Sequence, residues 1–213
     1  MMHKPVLVTA PTMTPVSLAD AKAQLAVDHN EHDDMTLGFI AAAVDHLDGW
    51  TGILGRALVE QTWRQDFDSF SGCMRLALAP VISITSITHR NAAGQISTVS
   101  SSDYTLLVDA RGPYVKFKSG FERPADLNET RPISITYLAG YATTPEVPEI
   151  PADGETPAVP AIPAVSNIPP AIRAAILIHV RLMYDAYRLG KDAGPIPTEA
   201  IDALVAPYRR VGI

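Results

Sequence analysis

Asp66 and Asp68 stand two apart in the alternating run LVEQTWRQDFDSF (residues 58–70). On an extended strand both carboxylates project from one face. Such a pair suits acid–base chemistry or a divalent cation. No His, Lys or third carboxylate adjoins them in the sequence, and a half-buried strand needs a polar face in any case. They are therefore read as that face. A second cluster, HNEHDDMT at residues 29–36, holds His29, His32, Asp33 and Asp34. Imidazole and carboxylate are both metal ligands. The same residues also make an inter-helix loop in which Asp33 or Asp34 caps the next helix, which needs no metal. Cys73 is the only cysteine. Its neighbours Gly72 and Met74 offer nothing to lower a thiol pKa. No nucleophile is paired with a base, no glycine loop cradles a phosphate and no ligand set converges. The expectation is a protein that is not an enzyme and needs no cofactor.

Composition narrows the class further. The chain has 213 residues and a formal net charge of −6, with acidic and basic residues interspersed. A free-standing nucleic-acid binder would show a basic stripe instead. A single cysteine excludes an internal disulfide framework and suits a reducing compartment. The opening MMHKPVLVTAPTMTPVS lacks the apolar core of a signal peptide, and no window reaches the apolar length of a membrane span. The expected product is soluble and cytosolic.

The elements that must position these residues begin with the clearest helix, IPPAIRAAILIHVRLMYDAYRL (168–189). Pro169 and Pro170 suit a first turn, whose amides have no intrahelical partner. Ile172, Ala175, Ile176, His179, Val180, Met183 and Tyr187 recur at three- and four-residue steps, and Gly190 stops the run. Arg173, Arg181 and Arg188 fall on other faces. Upstream, Ser17 has N-cap chemistry for a helix LADAKAQLAV. A second helix from about Asp34 to Thr51 carries Leu37, Ile40, Ala41, Val44, Leu47 and Trp50. The predicted core of a helix pair is Leu37, Ile40, Val44 and Leu47 against Ile172, Ile176, Val180 and Met183. Between the helices the pattern changes to short alternating runs and tight turns, including an Arg111-Gly112-Pro113 corner, which predicts an antiparallel sheet or small barrel. Val6, Leu7 and Val8 suit an added strand or a docking arm.

The fold class is therefore α+β. Residues 1–56 with 168–213 form a helical bundle, 57–142 an inserted antiparallel β subdomain, and 143–167 a proline-rich loop. That loop has prolines at 145, 148 and 151, then 157, 160 and 163. Three-residue spacing matches the polyproline II repeat, so each run shares one edge. It reads either as a solvated insert or as an arm that orders on a neighbouring subunit, with Val147, Ile150, Val159 and Ile162 as apolar teeth. A last short helix, TEAIDALVAPY, precedes the basic, apolar-tipped tail Tyr208-Arg209-Arg210-Val211-Gly212-Ile213, which suits docking.

The order of these features resembles the head–tail connector (adaptor) proteins of tailed bacteriophages, the group that includes gene-transfer-agent adaptors. The specific pieces are TGILGRALVEQTW at 51–63, PVISITSI at 80–87, and YLAGYA at 137–142 followed by IPPAIRAAIL at 168–177. The likeness spans nearly the whole chain except the proline-rich insert and the ends. It implies a structural protein that forms a ring under the portal, dodecameric in the particle and either monomeric or ring-forming when free. It implies a lumen that passes double-stranded DNA without sequence-specific binding, and a lower face that receives a further connector, stopper or tail-completion protein. The location implied is the virion, after the bacterial host cytoplasm. It also implies a portal contact through Tyr208, Arg209, Arg210, Val211 and Ile213. Arg173, Arg181 and Arg188, with the apolar teeth of the arm, are the expected subunit interface. The alternative is a non-catalytic ligand- or carbohydrate-binding module on the β block, using Trp63, Tyr104, Tyr114 and Tyr137.

Overall fold

A computed structural model describes residues 1–145, 165–190 and 197–210. The chain divides into two compact units. The first comprises Met1–Thr12, Asp45–Gly140 and the chain from Tyr208. The second comprises Met13–Val44 and Tyr141–Pro207. The amino-terminal segment and the residues after the last helix therefore belong with the strands, not with the helices.

The first unit is built on a five-stranded antiparallel sheet. Its strands are β1 (Val6–Thr9), β2 (Gln61–Phe67), β4 (Val81–Arg90), β5 (Ile96–Thr98) and β8 (Ile133–Ala139), in the order β1-β2-β8-β4-β5. A smaller sheet has β3 (Met74–Arg75), β6 (Tyr104–Asp109) and β7 (Gly112–Phe117), in the order β3-β7-β6. The alternation read from the sequence becomes burial. Gln61, Trp63, Gln65 and Phe67 face inward on β2, as do Ile133, Ile135, Tyr137 and Ala139 on β8. Trp63, Phe67 and the four β8 side chains join Ile87, Met74, Val115 and Phe117 in one core. Burying each large apolar side chain contributes about 1.5–3 kcal/mol, which is why a polar strand face suffices outside. The expected strand MRLALAP forms a ladder at Met74–Arg75, with an isolated bridge between Ala79 and Arg56 further along. Leu76 and Leu78 are still buried, and the Leu76 N–H donates to the Pro113 carbonyl at 3.0 Å. Gly140 closes β8 at φ +129°, where a Cβ would lie 2.2 Å from the Val59 carbonyl oxygen. No other residue type fits there.

The second unit holds α1 (Leu18–Leu25), most of α2 (Asp33–Leu47), a short ladder of β9 (Thr143–Thr144) with β10 (Val165–Ser166), then α3 (Pro170–Leu189) and α4 (Glu199–Val205). The Ser17 cap is a full capping box. Its Oγ accepts from the Asp20 N–H at 3.0 Å, and the Asp20 carboxylate accepts from the Ser17 N–H at 2.9 Å. On α3, Ile172, Ala175, Ile176, Val180 and Tyr184 are buried. Met183 is only half-buried, and Tyr187 is exposed.

The main neighbours of α3 are α4 and α1. One expectation changes, the buried face of α2. The buried stripe of α2 is Thr36, Ile40, Ala43 and Leu47. Leu37 is 46% exposed, Trp50 39% exposed and Val44 half-buried, so they are not core. The stripe is rotated because Thr36 can be buried at little cost. Its hydroxyl donates to the His32 carbonyl at 2.8 Å, which satisfies the one polar group it carries inward. Asp33 and Asp34 sit inside the first turn of α2 rather than capping it, where the helix dipole favours carboxylates.

Candidate assembly surfaces

Asp66 and Asp68 have separate partners. Asp66 is buried, accepts from the Ser134 hydroxyl at 2.8 Å and pairs with Arg64 at 3.2 Å. Asp68 meets His3 Nε2 at 2.6 Å and the Met1 amine at 3.2 Å. The His3 contact, followed by that with the terminal amine, holds the Asp68 carboxyl below its usual range. His3 is the neighbour that sequence distance hid, because it arrives with the strand-adding amino-terminal segment. An Asp–His pair alone is not a catalytic set. No hydroxyl or thiol among the described residues bonds His3 to complete a nucleophile relay. The aromatics of the alternative reading are dispersed. Trp63 and Tyr137 are in the core, Tyr104 packs edge-on against Phe117, and Tyr114 lies under the Arg75 guanidinium. They do not form a sugar platform.

The acidic loop is also occupied locally. Asp33 pairs with Lys22 at 2.9 Å, and His32 Nδ1 lies 3.1 Å from the Tyr184 hydroxyl. Among the described residues no group of three or more ligating side chains could hold a metal ion.

The helix arginines are tied within the second unit. Arg173 pairs with Asp20 at 2.7 Å. Burial works against the Asp20 carboxylate, but hydrogen bonds from Ser17 and the Arg173 guanidinium outweigh it and hold the carboxyl below its usual range. Arg181 pairs with Asp185 at 2.7 Å and reaches the Gln24 carbonyl at 3.3 Å. Arg188 is exposed at the end of α3. These bonds leave Arg173 and Arg181 partly exposed, each with a partner already. Val147, Ile150, Val159 and Ile162 lie outside the described residues, as do Val211 and Ile213. The base of the arm is described: Thr144 pairs with Val165 and Thr143 with Ser166. Both ends of the insert are thus fixed side by side.

The chain end has a built seat on the first unit. The Arg210 N–H donates to the Leu54 carbonyl at 3.0 Å, and its Nη2 donates to the Leu76 carbonyl at 2.6 Å. Arg56 Nε donates to the Tyr208 carbonyl at 2.5 Å. The Arg210 guanidinium therefore faces inward, contrary to the outward docking role expected for it. Burial pushes it below its ordinary value, with Tyr137 opposing. Gly112 makes room for it: at φ +114°, a Cβ there would lie 3.0 Å from Arg210 Nη2. Nothing in the sequence pattern links a carboxy-terminal arginine to a hairpin glycine about a hundred positions earlier.

Beside this seat is a cleft of about 290 Å³. Arg56, Arg111, Arg209 and Arg210 line it, over walls that include Ala79, Pro80, Val81 and Val108. Asp109 is the one carboxylate in that lining. It is held by Arg75, with two hydrogen bonds of 2.9 and 2.7 Å. That guanidinium, aided by the Arg111 N–H, holds the Asp109 carboxyl at about 2. Its charge is thereby largely committed to Arg75, and the cleft keeps a positive balance in a chain of net charge −6.

The chain thus comprises an antiparallel β unit and a helical unit whose insert is paired at its base. The chain shares its fold over nearly its full length with chains of gene transfer agent particles. One, in the virion of the native particle, superposes with a TM-score of 0.70 at 19% identity, covering 99% of this chain and 97% of that chain. A second, in the neck of the empty particle computed with C6 symmetry, gives 0.71 at 18% identity with the same coverage. A third, in the neck of the native particle computed with C12 symmetry, gives 0.69 at 20% identity, again with that coverage. No protein-family model matches the chain, and no curated protein matches it significantly.

Proposed function

We propose that this protein is a structural component of the neck of a phage-like particle, a ring-forming adaptor between the DNA-filled head and the tail. The observation that carries the reading is the full-length likeness to chains of gene transfer agent necks, at TM-scores of 0.69 to 0.71. The twelvefold symmetry of the native neck that holds one such chain supports a dodecameric ring. A closed ring needs two different patches per subunit, and the insert and the arginine-lined cleft are physically distinct elements. In this reading the ring sits under the portal, passes DNA through its lumen without reading sequence, and receives the next connector below. Arg210 anchors the tail, and Val211 and Ile213 beyond it are the portal contact in this reading. No catalysis is required of any residue.

The test is direct. The purified protein is mixed with the portal protein of the same particle and imaged by negative stain, with light scattering on the isolated protein. Twelvefold rings stacked on portals are expected. Monomers that ignore the portal at saturating concentration would overturn the adaptor reading.

A further inference from the structure

The arginine-lined cleft on the first unit has no assigned occupant. Its lining brings four arginines together against the single carboxylate of Asp109, which Arg75 already holds. Arg210 Nε and Nη1 are buried with no hydrogen-bond acceptor among the described residues. Arg111 and Arg209 are exposed at the rim. The walls between them are apolar, and Val108 is 73% exposed. A ligand that satisfies this surface carries carboxylates on a narrow backbone with small apolar side chains between them. Charge-assisted bonds from arginine to carboxylate are the strong class of hydrogen bond.

The chain itself contains one segment of that chemistry. From Pro132 to Ile172 there is no Lys or Arg. Within that span Glu146, Glu149, Asp153 and Glu155 are the only charges, interleaved with Val147, Ile150 and prolines. Prolines at every third position favour an extended helix that gives up little conformational entropy on docking. In that form Glu146 and Glu149 fall on one edge, about 9 Å apart. The twenty residues between Thr144 and Val165 are pinned together at their base. An excursion of half that length reaches about 31 Å, roughly the diameter of a small domain.

We propose that the acidic, proline-rich segment from Glu146 to Glu155 of one copy docks in the Arg56–Arg111–Arg209–Arg210 cleft of a second copy. This rests on the ring reading above and gives its heterologous contact a chemistry. The segment supplies carboxylates to the arginines, and Val147 and Ile150 lie on the apolar walls. The overall acidity of the chain then serves specificity. Copies repel in general and attract only where this segment meets this cleft.

The test uses the full-length protein and a fluorescein-labelled peptide of residues 144–157, blocked at both ends, followed by anisotropy up to millimolar protein. Saturable binding is expected. It weakens at least tenfold with Arg111→Glu, at least tenfold between 50 and 500 mM salt, and at least tenfold when the four acids become Gln or Asn. Arg111 is exposed on a turn, so its substitution leaves the fold intact, which circular dichroism verifies. Absence of saturation, or equal affinity for Arg111→Glu, overturns the proposal. So does a protein that takes up no peptide but whose Arg111 amide resonance shifts with Glu149→Gln at micromolar concentration, because its own segment then fills the cleft. Rings on portals together with a peptide that fails to bind would remove this proposal alone. Peptide binding without rings would remove the neck reading alone.

Discussion

Replacing Gly140 by alanine tests the central joint of the β unit. Gly140 follows β8 at φ +129°, a region open to glycine and costly for any residue with a Cβ. That conformational strain alone is about 1–3 kcal/mol. The added Cβ would also stand 2.2 Å from the Val59 carbonyl oxygen, 2.4 Å from its carbon and 2.7 Å from the Glu60 nitrogen. These are backbone atoms leading into β2, so no side chain can rotate away. Relief requires parting β2 from β8 where Gln61 pairs with Ala139, and overpacking of this kind costs about a further 1–3 kcal/mol. A total of about 2–6 kcal/mol lowers the melting temperature by about 4–24 °C for a chain of this size. Gly38 provides the internal control. It lies exposed within α2, and a Cβ there meets nothing within 4 Å. Gly38→Ala should stabilise by about 0.5–1 kcal/mol, through helix propensity. Urea unfolding followed by far-UV circular dichroism reads both. Gly140→Ala within about 0.5 kcal/mol of the parent, by the scale of ordinary surface substitutions, would refute the described strand junction.

Ile176 on α3 is fully buried, so Ile176→Asp places an unpaired charge in the core and should unfold the helical unit, costing about 3 kcal/mol or more; a cooperative melt at the parent temperature would sink this. Asp109 has a folded-state value near 2, below its unfolded value near 4. Its contribution is present above the unfolded value and is lost as pH falls from about 4 towards 2, which carboxyl chemical shifts followed through that range will show; Arg75→Ala should return the midpoint to the ordinary range. Asp48 runs the other way. Burial raises its carboxyl above the ordinary value, although Gln61 Nε2 at 3.0 Å and the Leu58 N–H at 2.6 Å oppose this. The stability it contributes is full below the unfolded value and declines as pH rises towards the folded one. Asp48→Asn should therefore match or exceed the parent at pH 7 and flatten the pH dependence of urea midpoints. A variant less stable at neutral than at acid pH, relative to the parent, would contradict that sign.

Local chemistry was legible wherever one residue's neighbours decide the outcome. Ser17 and Asp20 sit three apart, so their capping box could be read directly. Prolines 169 and 170 and Gly190 bracket α3 because proline lacks the amide a helix interior needs and glycine accepts the exit geometry. Alternation marked β2 and β8, since a strand with one face in the core must repeat every two residues. The fold class and the resemblance to head–tail connectors were read from the order of such pieces. Tertiary structure decided what depends on partners distant in sequence. It set the phase of the α2 stripe, because Ile40 and Leu47 fit either phase and only packing selects Thr36 and Ala43 over Leu37 and Val44 to join them. It gave α3 its neighbours α1 and α4, and brought His3 to Asp68 across sixty-five positions. It folded Arg210 back onto Leu76 beside Gly112, forming with Arg56 and Arg111 a basic cleft that no run of the sequence contains. Charges scattered along a chain show no pattern until the backbone brings them together, and that convergence is a property of the fold.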